Sequence, residues 1–380
     1  MKILNYIKRI PFELRYIFVL FISTRIVLTI IGSLSHTFID KQYGKQYSWS
    51  KYVFFDIWGV WDSFWYVDIA TNGYSPIGSN PLSPNQTNLA FFPLYPLLMN
   101  LLGRVTGGEY FLSGILISNV CLLISGFLLY QIVKAESTQR TALNAVKYLF
   151  LFPVAFIYSG VFTESLYLCI TLLCFYMAKK QNWLLVGIIG ACLALTRSLG
   201  VFIILPLLHE YLSSIKFNLN KIRPNICYLL IIPLGLLIFA GYNYYITDNF
   251  FFFANNQSAW QRKLINPAQA LWKGFSSGVF EPNPKKFLEF IFSFVSLSLL
   301  GIFYRKIRFS YWLFGMYSIF IPLTAGIDSM ARYVLPIFPL YIICAELGKK
   351  RYVDQGLTLF LGMLQGCLMV FWSIGFALVV

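Results

Sequence analysis

Apolar runs close to the ~20 residues that cross a bilayer recur from one end of this chain to the other, separated by short polar stretches. They predict spans near 14–36, 110–133, 142–159, 163–178, 183–196, 198–212, 226–246, 286–304, 310–325, 332–347 and 357–378, about eleven crossings by the length rule. The stretch 183–212 is read as two spans broken at Thr196-Arg197-Ser198-Leu199-Gly200, with one long tilted helix as the alternative. From a cytoplasmic N-terminus, the loops on the far side are 37–109, 159–163, 196–200, 247–285 and 326–331. Within the first, Phe91-Phe92-Pro93-Leu94-Tyr95-Pro96 and the apolar run to Leu102 predict an interfacial or re-entrant helix, since the prolines and Arg104 argue against a clean span. The expected architecture is an all-α polytopic membrane protein with one transmembrane domain over 1–380. Its first external loop, 37–109, is large, and 247–285 is a second.

Composition agrees: 58% of the 380 residues are hydrophobic and 12% charged, where a soluble protein carries about 25% charged residues. The net charge of +15 raises the question of nucleic acid, and its distribution answers it. Eighteen of the thirty Lys and Arg fall in short clusters between apolar runs, as in Lys2-Lys8-Arg9-Arg15, Lys216-Lys221-Arg223 and Lys349-Lys350-Arg351. Every second loop carries one, which is the positive-inside pattern. The charge therefore reports topology and contact with anionic membrane lipids. Nine of the fifteen acids lie in the far-side loops or, for Glu164, at the edge of one. The seven cysteines (121, 169, 174, 192, 227, 344, 367) all sit in apolar stretches without metal-ligand spacing and read as small buried hydrophobes. No small-residue cleavage site follows 14–36, so no removable signal is expected. Asn85-Gln86-Thr87 and Asn256-Gln257-Ser258 are sequons in far-side loops.

Within those loops, Trp61-Asp62-Ser63-Phe64-Trp65 places a carboxylate among aromatics beside lipid, where a bare acid costs several kcal/mol unless solvated or paired. That setting suits a general base taking a proton from a sugar hydroxyl. The competing role for Asp62 is N-cap of a helix starting at Ser63. Asp56 and Asp68 are secondary candidates, read as solvated loop acids; a metal-binding acid pair, and hence a divalent cation, stays open because hard ions take oxygen ligands. Arg197 sits between apolar segments and needs a polar partner or a phosphate. Glu164 occupies a similar boundary, and the two could simply pair. Arg332, next to Tyr333 at the start of a span, either grips a phosphate with its planar fork or pairs with Asp328 four residues earlier. The surroundings of Arg25, inside the first span, are left open, and His36 and His209 read as interface residues. There is no Gly-rich phosphate loop, nucleophile elbow or His-Glu-x-x-His motif. A sugar donor would therefore be carried by the membrane.

Five blocks in order carry a family resemblance: Trp61-Asp62 with Ile69-Ala70 and Gly73-Tyr74; Phe91-Phe92-Pro93-Leu94-Tyr95-Pro96; Thr163-Glu164-Ser165-Leu166-Tyr167; Ala194-Leu195-Thr196-Arg197; and Arg332-Tyr333-Val334-Leu335-Pro336 with Phe338-Pro339-Leu340. Together they resemble the PIG-V-like mannosyltransferases of the GT-C superfamily. The resemblance implies an inverting transferase using a polyprenyl- or dolichyl-phosphate sugar, mannose in the family, with a lipid or glycan acceptor on the external or luminal face. Eukaryotic members act in assembly of the glycosylphosphatidylinositol anchor. It gives Asp62 the catalytic role and places Trp61, Glu164, Arg197, Arg332 and Tyr333 at the substrates. It implies no firm cofactor and no metal ligands. Ser63-Phe64 and Ser198 depart from the family pattern and leave the acceptor open. The membrane would be a bacterial plasma membrane, or the ER in a eukaryote. A transporter or lipid flippase and a non-catalytic subunit of a membrane complex are the rival classes, although no paired Gly/Pro-broken segments mark matching halves.

Overall fold

In a computed structural model of the chain, residues 11–78, 86–260 and 262–378 are those whose structure is described. They fold as helices joined by turns, with no strand among the described residues. The first apolar run is α1 (Phe12–Phe38). The following polar segment folds into short helices α2 (Val53–Asp56), α3 (Ser63–Asn72) and α4 (Leu94–Val105), the last where an interfacial helix is expected. Then come α5 (Tyr110–Lys134), α6 (Gln139–Leu151), α7 (Glu164–Lys179), α8 (Trp183–Ala194), α9 (Ile204–Ser214) and α10 (Ile232–Thr247). After α11 (Phe252–Asn255) the chain forms α12 (Pro267–Val279), α13 (Pro284–Ile302), α14 (Phe309–Leu323), α15 (Met330–Val334), α16 (Phe338–Leu347) and α17 (Arg351–Ser373).

Among the described residues, four helical stretches are long and apolar enough to cross a membrane: Phe12–Phe38, Tyr110–Lys134, Pro224–Thr247 and Arg351–Ser373. The other expected crossings are shorter, more polar or interrupted, and the interruptions have causes in the sequence. The expected span 142–159 stops at Leu151 because Phe152-Pro153 cannot continue a helix. The expected span 332–347 is broken at Pro336 between α15 and α16. Between α8 and α9 the chain does break: Arg197 is extended (φ −158°, ψ 146°) and the 3-10 stretch Ser198–Ile203 follows.

At the centre lies α7, most of whose side chains are buried, packed between α5 and α8. Helices α8 and α10 cross closely through small residues, the usual basis of helix association in lipid. A Cβ on Gly187 would stand 2.2 Å from the Tyr228 carbonyl oxygen, and one on Gly235 2.1 Å from that of Ala191. The turn between α6 and α7 is buried although irregular, which lipid permits only inside protein. Arg25 explains how. Its guanidinium donates to the carbonyls of Ala155 (3.0 Å) and Phe150 (3.4 Å) and to Ser159 Oγ (2.9 Å), and Gln365 donates to the carbonyls of Phe150 and Phe152. A cation at the carbonyl end of α6 also complements its dipole. The cysteines divide: Cys121, Cys169, Cys174 and Cys344 are buried as expected, Cys192 is half-buried, and Cys227 and Cys367 are exposed.

Candidate active site

Asp62 immediately precedes α3, yet its side chain makes no capping hydrogen bond to the helix, so the N-cap role is not realised. It follows a strained residue: Trp61 has φ +47°, in the left-handed region that non-glycine residues rarely enter. Such strain persists only where surroundings over-determine it, and it clusters at functional sites. The Trp61 N–H donates to the Gly44 carbonyl (2.9 Å), and a Cβ on Gly44 would lie 2.1 Å from the Trp61 ring, so only glycine fits.

A buried ionic cluster fixes that turn. Lys45 Nζ lies 3.0 Å from the Asp56 carboxylate and donates to the carbonyls of Tyr47, Asp56 and Gly59. His36 Nε2 is 3.5 Å from Asp56 Oδ2, and the backbone N–H groups of Trp49 and Ser50 bind Oδ1. Asp56 is therefore a buried structural acid, a correction to the solvated reading, and His36 belongs to its cluster. Burial lowers the Lys45 ammonium to about 8, with Asp56 opposing the fall. Asp56→Asn should strip a buried charge of its partner and cost about 3–5 kcal/mol of stability near pH 7. The unfolded chain keeps the lysine protonated up to its ordinary 10.5, whereas the folded variant favours the neutral amine. The loss should therefore shrink as pH rises toward that value. Denaturant unfolding of both proteins at pH 7 and pH 9.5 checks the size and the sign.

Four residues singled out separately in the sequence meet in one relay. Arg332 Nη1 binds Asp62 Oδ2 (2.5 Å) and its Nε binds Glu164 Oε1 (2.7 Å); Arg197 Nη2 binds the same Glu164 oxygen (2.7 Å). The expected Glu164–Arg197 pair forms. The alternative pairing of Arg332 with Asp328 does not form; its Nη1 and Nε go instead to Asp62 and Glu164. Glu164 is fully buried and Arg332 nearly so, while 25% of the Asp62 side chain is exposed. Asp62 is thus the acid of the relay that a substrate can reach. No partner holds its Oδ1 among the described residues, while Arg332 fixes Oδ2.

The relay opens into a cleft of about 680 Å³. Aromatic residues line it: Trp61, Phe64, Trp65, Phe91 and Trp260. Trp65 and Phe91 stack with centroids 5.6 Å apart, and Trp260 meets both edge-on. Tyr66 also lines it, its phenol pushed up to about 12 by burial, with the Glu164 carboxylate adding to the rise. The lining is also cationic. Beyond Arg197 and Arg332 it holds Arg262, Lys273, Lys285 and Lys286, none of them marked by sequence reasoning. Arg197 and Arg262 both lie over the Tyr333 ring (5.4 and 5.8 Å to the centroid), and Arg262 also donates to its hydroxyl (2.8 Å). A signal for these residues did exist: a far-side loop rich in Lys and Arg runs against the positive-inside rule.

Asp328 is exposed at the cleft rim. Asp68 does not line the cleft; it is buried and accepts from Asn72 (2.9 Å) and Asn88 (2.8 Å), tying α3 to the segment before α4. The solvated reading of Asp68 is corrected likewise. Among the described residues no three His, Cys, Asp or Glu side chains converge as a metal site would require. Asn85 lies outside the described residues; Asn256 donates to Thr87 Oγ1 (2.7 Å).

Residues 89–245 match the family of dolichyl-phosphate-mannose-protein mannosyltransferases. The match covers less than half of the chain; it includes Glu164 and Arg197 and excludes Asp62 and Arg332. It supports a membrane glycosyltransferase of GT-C type. No curated protein matches the chain. Among solved structures, the chain is similar to the Archaeoglobus fulgidus oligosaccharyltransferase in complex with zinc and sulfate, at 14% identity and a TM-score of 0.44, over 92% of this chain and 53% of that one. It is also similar to the archaeal oligosaccharyltransferase AglB of Archaeoglobus fulgidus in complex with an inhibitory peptide and a dolichol-phosphate, at 12% identity and a TM-score of 0.40, over 94% and 56%. The chain thus spans about half the length of those proteins. Overlap at these scores is partial, and nothing in the site rests on it.

Proposed function

We propose that the chain is an inverting glycosyltransferase that moves a sugar, mannose by the motif resemblance, from a polyprenyl or dolichyl phosphate to a lipid-linked or glycan acceptor on the external or luminal face. The observation that carries this reading is the Asp62–Arg332–Glu164–Arg197 relay opening into a cleft lined by both aromatic rings and cations. The acceptor hydroxyl gives its proton to Asp62 Oδ1 while its oxygen bonds to the anomeric carbon. The bond from that carbon to the phosphate oxygen breaks, and its electron pair leaves with polyprenyl phosphate. A positioned base is worth typically about 10²–10⁴-fold. Arg332 serves as the residue that aims Asp62, because its Nη1 and Nε bridge the Asp62 and Glu164 carboxylates. The donor phosphate then falls to Arg197 and Arg262, which flank Tyr333 and offset the charge that builds on the leaving group. The aromatic residues present flat apolar surfaces for the faces of sugar rings.

Comparing transfer from polyprenyl-phosphate mannose with transfer from the glucose counterpart tests the sugar. Mannose should lead by about tenfold or more, the scale that one hydrogen bond discriminates, and equal rates would discard it. The face is tested in a variant lacking Cys227 and Cys367, the exposed cysteines. Added from outside the cell, an impermeant thiol reagent should label Ser258→Cys and spare Lys221→Cys. Labelling of Lys221→Cys alone would put the cleft on the other face, and labelling of both would discard the alternation of loops from which the face is inferred.

A further inference from the structure

We propose that Lys273, Lys285 and Lys286 form a second phosphate subsite in the cleft, beside the one that holds the donor lipid. The proposal rests on the glycosyltransferase reading and adds to it a substrate class: one of the two substrates brings a phosphate beyond the donor's single phosphodiester. Charge on the cleft walls motivates it. Asp62, Glu164, Arg197 and Arg332 neutralise one another within the relay. Arg262 is engaged with Tyr333. The three lysines remain, and none of them is in an ion pair among the described residues. Asp328 is the one further acid lining the cleft, so the lining keeps a positive surplus that a donor phosphodiester of single charge does not exhaust.

The lysines also stand where nothing structural favours them. Lys285 and Lys286 occupy the first turn of α13, the end of a helix that repels cations. Lys273 comes from α12, whose Gly274 packs against the Lys286 carbonyl, so the α12–α13 hairpin carries all three to the cleft. Two helices that converge three cations, none of them in an ion pair among the described residues and with Asp328 as the acid beside them in the lining, build a surface for a multiply charged anion. Two sources share this chemistry: a phosphate on the acceptor, or the second phosphate of a diphosphate-linked donor.

The test is binding of inorganic phosphate to the purified full chain in neutral detergent, followed by ³¹P line broadening, with saturating farnesyl monophosphate filling the donor position. Wild type should still bind phosphate under that condition. The triple variant Lys273→Gln, Lys285→Gln, Lys286→Gln should weaken this residual binding at least tenfold while changing farnesyl monophosphate affinity less than threefold. Farnesyl diphosphate supplies the arm for the source. If it displaces inorganic phosphate where the monophosphate does not, the second phosphate is the donor's. If neither displaces it, the phosphate belongs to the acceptor. Displacement by the monophosphate, or unchanged phosphate binding in the triple variant, would overturn the proposal. Failure of farnesyl monophosphate to bind at all would instead count against the glycosyltransferase reading, and the lysine arm would still be read in its absence.

Discussion

Asp62→Asn is expected to lower turnover by roughly 10²-fold or more, the contribution of a positioned base, with donor affinity and fold retained. The fold should survive because the Asp62 side chain is partly exposed and Arg332 keeps its bond to Glu164. The loss should fall on kcat and leave the donor KM nearly unchanged, the pattern of an interaction made only in the transition state. Asp68→Asn is the matched control. That carboxylate is bonded to two asparagines and lies away from the cleft, so its loss should be local and structural. Steady-state kinetics of the two variants decide the point. A larger kcat effect at Asp68 than at Asp62 would mean that the wrong carboxylate has been assigned.

Glu164→Gln should cost about 3–5 kcal/mol of stability, as large as the loss at Asp56, because it removes the carboxylate that a buried and a half-buried guanidinium share. Arg197→Gln should cost less, since Glu164 then keeps Arg332. Denaturant unfolding of the solubilised variants separates them. A Glu164→Gln protein as stable as wild type would mean that the relay is not what holds α7, α15 and the turn at Arg197 together. Activity should fall as well, because Arg332 loses one of the two anchors that aim it at Asp62.

Much of the site is legible residue by residue in the sequence. Asp62, Glu164, Arg197 and Arg332 each stand out because a charge beside or within apolar sequence needs a partner. The pairing of Glu164 with Arg197 follows from that argument alone. The engagement of Arg332 does not. Asp328, four residues away, is the nearer partner by sequence, whereas Asp62 and Glu164 reach Arg332 only through tertiary packing. Asp56 and Asp68 read as solvated for the same reason, since no local pattern shows that Lys45 or Asn88 will close over them. The long apolar helices are the easiest elements to find. The interrupted ones are harder, because Pro153 and Pro336 stop helices inside stretches whose hydrophobicity continues unbroken. The lysines of the cleft escape a reading that treats cations as topology markers, although Lys273 and Lys285 fall in an expected far-side loop, against that rule.

The central claim, transfer of a sugar from a lipid phosphate, is tested most directly by incubating the purified chain with radiolabelled polyprenyl-phosphate mannose and a membrane lipid extract. Label should move to a new product, polyprenyl phosphate should be released in equal amount, and Asp62→Asn should do neither above background. Intact donor after prolonged incubation, or equal turnover by the Asp62→Asn protein, would contradict the account.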